Sequence, residues 1–351
     1  MDYIYQYGLF LAQAVTLVAA VLILVGGIVA IGQRSKAEQH EGHIEVHKLN
    51  EKYRLIGDAI REVVLEEQEL KTLHKAEKKA EKKKAKEKGG KKGDGDATPA
   101  RQRLFVLNFD GDMKASAAEH LREEISAVIA QYREGDEVVV RLESPGGMVH
   151  GYGFAASQLQ RLRDSGIPLV AAVDKVAASG GYMMACVANR IIAAPFAIIG
   201  SIGVLAQVPN FNRLMKKHDI DFELFTAGEY KRTVTMFGEN TEQGREKFRQ
   251  ELEETHDLFK TFVSGNRPQL DIAAVATGET WYGSKAVENG LVDAIQTSDD
   301  FIQSQLKDRD VFELRFVQKK NWQEKLGMAT ENALERSFLK IWQQGRERPP
   351  L

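Results

Sequence analysis

The stretch Glu137-Val-Val-Val-Arg-Leu142 decides the fold. It is a short run of β-branched and apolar residues, and it stops at Ser144-Pro-Gly-Gly147. Gly151 to Asp164 then reads as a helix, and Leu169-Val-Ala-Ala-Val173 as a second strand. Upstream, Leu104 to Phe109 is an apolar run ending at the turn signal Asp110-Gly111. Ser116 to Tyr132 has helical spacing, with Leu121, Ile125, Val128 and Ile129 on one face. Downstream, Ala178 to Ala188 reads as helix and Arg190 to Ala194 as strand. Strands that alternate with helices need crossover connections, so the sheet is mostly parallel and the class is α/β. Continuous apolar strands imply a sheet covered on both faces. Met183 to Ala206 is apolar enough to suggest a membrane span, but Asn189, Arg190 and Pro195 interrupt it.

Farther out the composition changes. The 351 residues carry 48 basic and 50 acidic side chains. A net charge of -2 argues against a whole-protein nucleic-acid binder. A mean hydropathy of -0.34 excludes a multi-span membrane protein. One cysteine excludes a disulfide scaffold or a cysteine-rich metal module. After an N-terminal segment of residues 1–8, Leu9 to Ile31 is 23 residues without a formal charge. As a helix it is about 34 Å long, enough to span a bilayer. Tyr3, Tyr5 and Tyr7 precede it as an interfacial belt would. No basic region precedes the run, which argues for an uncleaved anchor over a signal peptide. Arg34 and Lys36 follow it, and the positive-inside rule then puts the large domain in the cytoplasm.

Residues 32–100 read as a charged stalk. Ile44, His47, Tyr53, Ile56, Ile60, Val63, Val64 and Leu70 recur near 3.6 residues, as in a helix. Lys75 to Lys92 holds ten lysines against three glutamates, a local charge of +7, and reads as a solvated linker. His40, His43 and His47 share one face of that helix; they read as solvated, and no metal site is assigned. At the other end, residues 298–351 hold a charged strand, Val311 to Val317, and an amphipathic helix carrying Trp322, Leu326, Ala329, Leu334, Phe338, Ile341 and Trp342.

The chemistry between these flanks, in residues 101–297, lies where strands end. Gly146-Gly147 and Gly180-Gly181 follow two neighbouring strands. Such turns can aim two backbone N–H groups at one point, which an oxyanion hole requires. Ser179 sits among small residues and reads first as a helix N-cap. As a nucleophile it also needs a base. His218 and His256 are the histidines that follow it in the domain, both set among charges. Lys231 follows the strand-like Phe222 to Phe225, at another strand exit, but spacing alone does not select it over other lysines. Cys186 reads as buried.

Taken together, Ser144-Pro-Gly-Gly147, Ala178-Ser-Gly-Gly-Tyr182, Gly200-Ser-Ile-Gly-Val204, Gly228-Glu-Tyr-Lys-Arg232 and the Gly283, Ala286 and Gly290-Leu-Val-Asp293 pattern resemble the signal peptide peptidase A family of serine proteases. That family lies within the ClpP/crotonase superfamily, and the single domain behind one anchor is similar to its short, inner-membrane form. The resemblance implies repeated ββα units and a Ser–Lys dyad. It gives Ser179 as nucleophile, Lys231 as general base, Ser201 as the hydroxyl that orients the lysine, and Gly147 and Gly180 as oxyanion-hole amides. It implies acyl transfer on apolar peptides, such as signal-peptide remnants or misfolded membrane-protein fragments, without metal or cofactor. It also implies a ring-like homo-oligomer, with the dyad formed within a chain or between chains. For a Gram-negative cell it favours a periplasmic domain, against the charge rule. Two other readings stand beside it: a non-catalytic membrane scaffold, and a crotonase-type acyl-CoA enzyme, which also uses paired amides.

Overall fold

The computed structural model describes residues 42–66, 68–72, 75, 79, 101–228 and 230–318. Contacts divide the chain into one unit of residues 44–315 and another made of 1–43 with 316–351. Of the latter, residues 42–43 and 316–318 are described; they are the ends of two strands. The elements begin with β1 (Gly42–Lys48), α1 (Leu49–Val64), β2 (Arg103–Asp110), α2 (Ala118–Gln131), β3 (Glu137–Glu143) and α3 (Val149–Asp164). Next come β4 (Leu169–Val173), β5 (Val176–Ala178), α4 (Gly180–Ala185), β6 (Arg190–Ala193), β7 (Ile198–Gly200) and α5 (Asn212–Lys217). The chain continues through α6 (Glu242–Asn266), α7 (Ile272–Val275), β8 (Thr280–Tyr282), α8 (Gly283–Glu288), β9 (Ala294–Ile295), α9 (Ser298–Gln305) and β10 (Asp310–Gln318).

Seven strands form one sheet in the order β1-β10-β2-β3-β4-β6-β9, and from β10 to β9 every pairing is parallel. Side chains alternate across it, so each strand feeds two cores. Phe105, Leu107, Val138, Val140 and Leu142 face α2 and α3 through Leu121, Ile125 and Leu159. Leu104, Val106, Val139, Val170 and Ile192 face Leu49, Phe301 and Ile302 on the opposite side. Burial on both faces is why these strands lack polar alternation. A second sheet, β5-β7-β8, carries the turns described below.

Three readings change. Ala178 to Ala188 is not one helix: Val176–Ala178 pairs in parallel with Ile198–Gly200, and the helix is Gly180–Ala185. Three residues are too few to show a period of two, and pairing with β7 decides their state. Gly42–Lys48, taken as stalk helix, is a strand beside β10. Its far end is fixed where Lys48 pairs with Asp310 and Asn50 bonds to Leu306, Arg309 and Val311. Phe222–Phe225 is not a strand. It lies exposed with no strand beside it among the described residues, so its apolar pattern has no sheet to join. The charged run near 311–317 is a strand, and it sits between β1 and β2 in the main sheet.

The anchor expected at 9–31, most of the lysine-rich linker and the amphipathic segment at 322–342 lie outside the described residues. Among the described residues no helix is long and apolar enough to cross a membrane.

Candidate active site

The end of β3 and the second sheet meet at one point. Ser144 makes a parallel bridge to Ala177; its N–H donates to Val176 O (2.8 Å) and its carbonyl accepts from Ala178 N–H (3.0 Å). Ala178 is in register with Gly200, and Ser179 N–H donates to Gly200 O at 2.8 Å. The loop of Gly146-Gly147, Ser179 and Ser201 are therefore neighbours, although 58 positions separate the first strand exit (Glu143) from Ser201 in the chain.

Ser179 has φ 52° and ψ -118°, a left-handed conformation that a serine occupies at a cost of about 1–3 kcal/mol. It stands at the N-cap position of α4, yet its hydroxyl makes no capping hydrogen bond. The N-cap reading thus describes its place and not the use of its side chain. Ser201 is also strained, at φ 52°, with its N–H on Glu279 O at 2.6 Å. Gly146 has φ 90°, and a Cβ there would stand 2.7 Å from Ser179 Cβ and 2.8 Å from Gly180 N. Only glycine lets this loop lie against the serine turn. The N–H groups of Gly147 and Gly180 have no hydrogen-bond partner among the described residues.

Two residues not singled out in the sequence brace these turns. Tyr152, fully buried on α3, donates its hydroxyl to Asp112 O at 2.7 Å and lies 2.6 Å from Ser144 Oγ. Ser144 Oγ accepts from Gly146 N–H at 3.1 Å. Gly180 rests on the Tyr152 ring: a Cβ there would be 2.3 Å from Cγ. Ser144 belongs to the quoted glycine segment, but Tyr152 carries no local signal, since an aromatic residue on a buried helix face reads as core.

The proposed bases are placed differently. Lys231 is exposed, on a largely irregular segment between β7 and α6. Its N–H donates to Gly228 O (3.2 Å), and no contact joins it to Ser179 or Ser201 among the described residues. His218 is exposed at the end of α5. His256, on α6, reaches the carbonyl of Ile202, next to Ser201, with Nε2 at 3.3 Å. Asp257 pairs with Lys260, whose hydrogen bond and charge hold its carboxyl below the usual range. Cys186 is buried, and burial pushes its thiol up to about 12, so it stays a neutral core group. Of the stalk histidines, His43 and His47 lie on β1 and His40 is outside the described residues. The buried end of α6 is tied down by Arg267, which forks onto both carboxylate oxygens of Asp293 at 2.9 and 2.7 Å.

Residues 2–159 match the family model for the peptidase family S49 N-terminal region, and residues 161–311 match that of peptidase family S49. A probable protease SohB of Haemophilus influenzae is 52% identical over 334 residues, 95% of this chain and 94% of its own. The chain belongs to peptidase family S49. A probable protease SohB of Buchnera aphidicola (subsp. Schlechtendalia chinensis) is 48% identical, across 86% of this chain and 99% of its own. A putative signal peptide peptidase SppA of Enterococcus faecium is 28% identical, across 52% and 54%. This S49 chain is therefore a peptidase of SohB type. Its two family segments meet inside α3, so Ser144 and Tyr152 fall in the first and Ser179, Ser201, Lys231 and Asp293 in the second.

Proposed function

We propose that this chain is a membrane-anchored serine endopeptidase in which Ser179 attacks the peptide carbonyl. The observation that carries the reading is the Ser179 turn itself. A serine is held at φ 52° with an uncommitted hydroxyl, and a glycine loop lies against it too closely for any side chain. Strain of that kind persists where the surroundings enforce it, and it gathers at reactive sites.

Lys231, as general base, takes the Ser179 proton as Oγ bonds to the carbonyl carbon. The carbonyl oxygen becomes an oxyanion, received by the amides of Gly147 and Gly180. Collapse breaks the C–N bond, and the proton on Lys231 goes to the leaving amine. Water, deprotonated by the same lysine, then attacks the acyl carbonyl; the C–Oγ bond breaks, and the lysine returns its proton to Ser179 Oγ. In this reading Ser201, whose turn adjoins that of Ser179, holds the lysine amine.

Within one chain no hydrogen bond joins Lys231 to this point among the described residues, and the exposed segment that bears it is unusually apolar. Leu205, Phe211, Phe222, Leu224, Phe225 and Phe237 are exposed there. Such a surface favours cover by another copy of the chain, and assembly is what brings Lys231 to a serine. Strand pairs divided between two sheets support the ClpP/crotonase grouping. The substrates are extended apolar peptides of membrane or exported proteins, met by a ring anchored through residues 9–31 with its domain on the periplasmic side.

The test is peptidase turnover by the full chain in detergent, on an unfolded protein and on a synthetic signal peptide. Ser179→Ala and Lys231→Ala are each expected to be inactive while folded. Lys231→Arg is also expected to be inactive, because a guanidinium does not deprotonate. Turnover by Ser179→Ala would refute the nucleophile, and turnover by Lys231→Arg would refute the base.

A further inference from the structure

We infer that Tyr152 is a positioning residue that holds both walls of the oxyanion hole through its hydroxyl and its ring. The inference rests on the reading of Gly147 and Gly180 as the oxyanion donors. Tyr152 has one proton to give, and it goes to Asp112 O at 2.7 Å. Ser144 Oγ, 2.6 Å away, must then donate to the tyrosine oxygen. That leaves Ser144 a lone pair, which accepts Gly146 N–H at 3.1 Å. The result is one directed chain, Gly146 N–H to Ser144 to Tyr152 to the Asp112 carbonyl, with each proton used once.

The middle of the chain is closed to water. Ser144 and Tyr152 have no exposed surface. No spare room exists around the hydroxyl pair, since a Cβ on Gly111 would meet Ser144 Oγ at 2.4 Å and the tyrosine oxygen at 2.5 Å. Burial raises the Tyr152 pKa above its ordinary value, which keeps the donor protonated.

The same side chain serves the other wall. The backbone of Gly180 packs against the Tyr152 side chain, whose Cγ, Cδ2 and Cβ would all clash with any β-carbon there. One residue on α3 thus sets the Gly146-Gly147 loop by a hydrogen-bonded relay and the Gly180 amide by contact. An oxyanion hole works only if its donors point at the developing charge before the reaction, so loss of the relay acts on the transition state more than on substrate binding.

Tyr152→Phe keeps the ring and removes the relay. It strands the buried Ser144 hydroxyl and leaves the Asp112 carbonyl without its donor. In the full-length protein kcat is expected to fall about tenfold with KM unchanged. The inhibition constant of a peptide aldehyde, which forms the tetrahedral adduct, is expected to rise by the same factor. Binding of the uncleaved peptide, measured in a Ser179→Ala background, is expected to stay as it was. Ser144→Ala keeps the tyrosine and breaks the same chain, so it should reproduce these effects, and the double variant should be no worse than either single one. The inference is overturned if kcat in both variants stays within about twofold of the parent. It is equally overturned if aldehyde and ground-state peptide lose affinity together. A Ser179→Ala protein that still turns over would instead overturn the active-site reading beneath it.

Discussion

Asp293→Asn separates structure from catalysis at a residue that sits in a family segment far along the chain from Ser179. Arg267 is nearly fully buried, with 3% of its side chain exposed, and Asp293 keeps 31%. The guanidinium makes two bonds to the carboxylate and a third to Gly290 O at 3.1 Å. The carboxylate also accepts Ile191 N–H at 2.6 Å, which joins the end of α6 to β6. An amide at 293 can still take the Ile191 bond, but it cannot balance the buried cation. Removing one partner of a buried pair costs about 3–5 kcal/mol. Because the carboxylate reaches water, the lower end applies, about 3 kcal/mol. For a domain of this size that is a fall in Tm of roughly 6–12 °C.

The assay is thermal unfolding of the full chain in detergent, followed by circular dichroism, with peptidase activity per folded molecule measured alongside. Activity per folded molecule should not change. Replacing both partners with apolar residues should cost less than the single change, since no charge is then left buried. The pH dependence has a definite sign. Burial alone would raise the Asp293 pKa, but the Arg267 and Ile191 hydrogen bonds and the Arg267 charge outweigh it and hold the value below normal. The pair's contribution is therefore present above the unfolded carboxyl pKa of about 3.9 and is lost as pH falls through the lower folded value. An Asp293→Asn protein that melts within about 1 °C of the parent would refute the reasoning.

Two further outcomes follow from the site. Gly180→Ala puts a methyl 2.3 Å from the Tyr152 ring and displaces the proposed oxyanion donor, so kcat should drop roughly 100-fold or more; turnover near the parental rate would show that this amide does not face the reacting oxygen. His256→Gln preserves a donor toward Ile202 O and should keep at least about half of kcat, whereas a loss as deep as that of Ser179→Ala would make His256 the base.

The long apolar strands were legible because burial on both sheet faces leaves a continuous signal. Glu137–Glu143 and Leu169–Val173 have almost the same bounds in sequence and structure, and the helices beside them differ by two residues or fewer at most ends. The glycine turns around Ser179 were legible as turns, because close backbone approach demands small residues, whereas the part given to Ser179 came from the family resemblance. Phe222–Phe225 misled because an apolar run shows a wish to be covered and does not say by what. The strands of the second sheet were illegible because three residues hold no period, and they exist only where β5 finds β7.

Local chemistry and periodicity thus set, from sequence alone, the parallel main sheet, the turn that follows Glu137–Glu143 and the residue types at the Ser179 turn. Tertiary structure alone decided which of those exits share a point: the bridge from Ser144 to Ala177 and the register of Ala178 with Gly200 bring together segments that no local pattern connects. It alone made a core tyrosine on α3 the support of two glycine turns, and it left Lys231 on an exposed segment. The reason is physical. A side chain's surroundings are set by packing among distant segments, whereas a sequence pattern reports only which residues wish to be buried and how the backbone can turn.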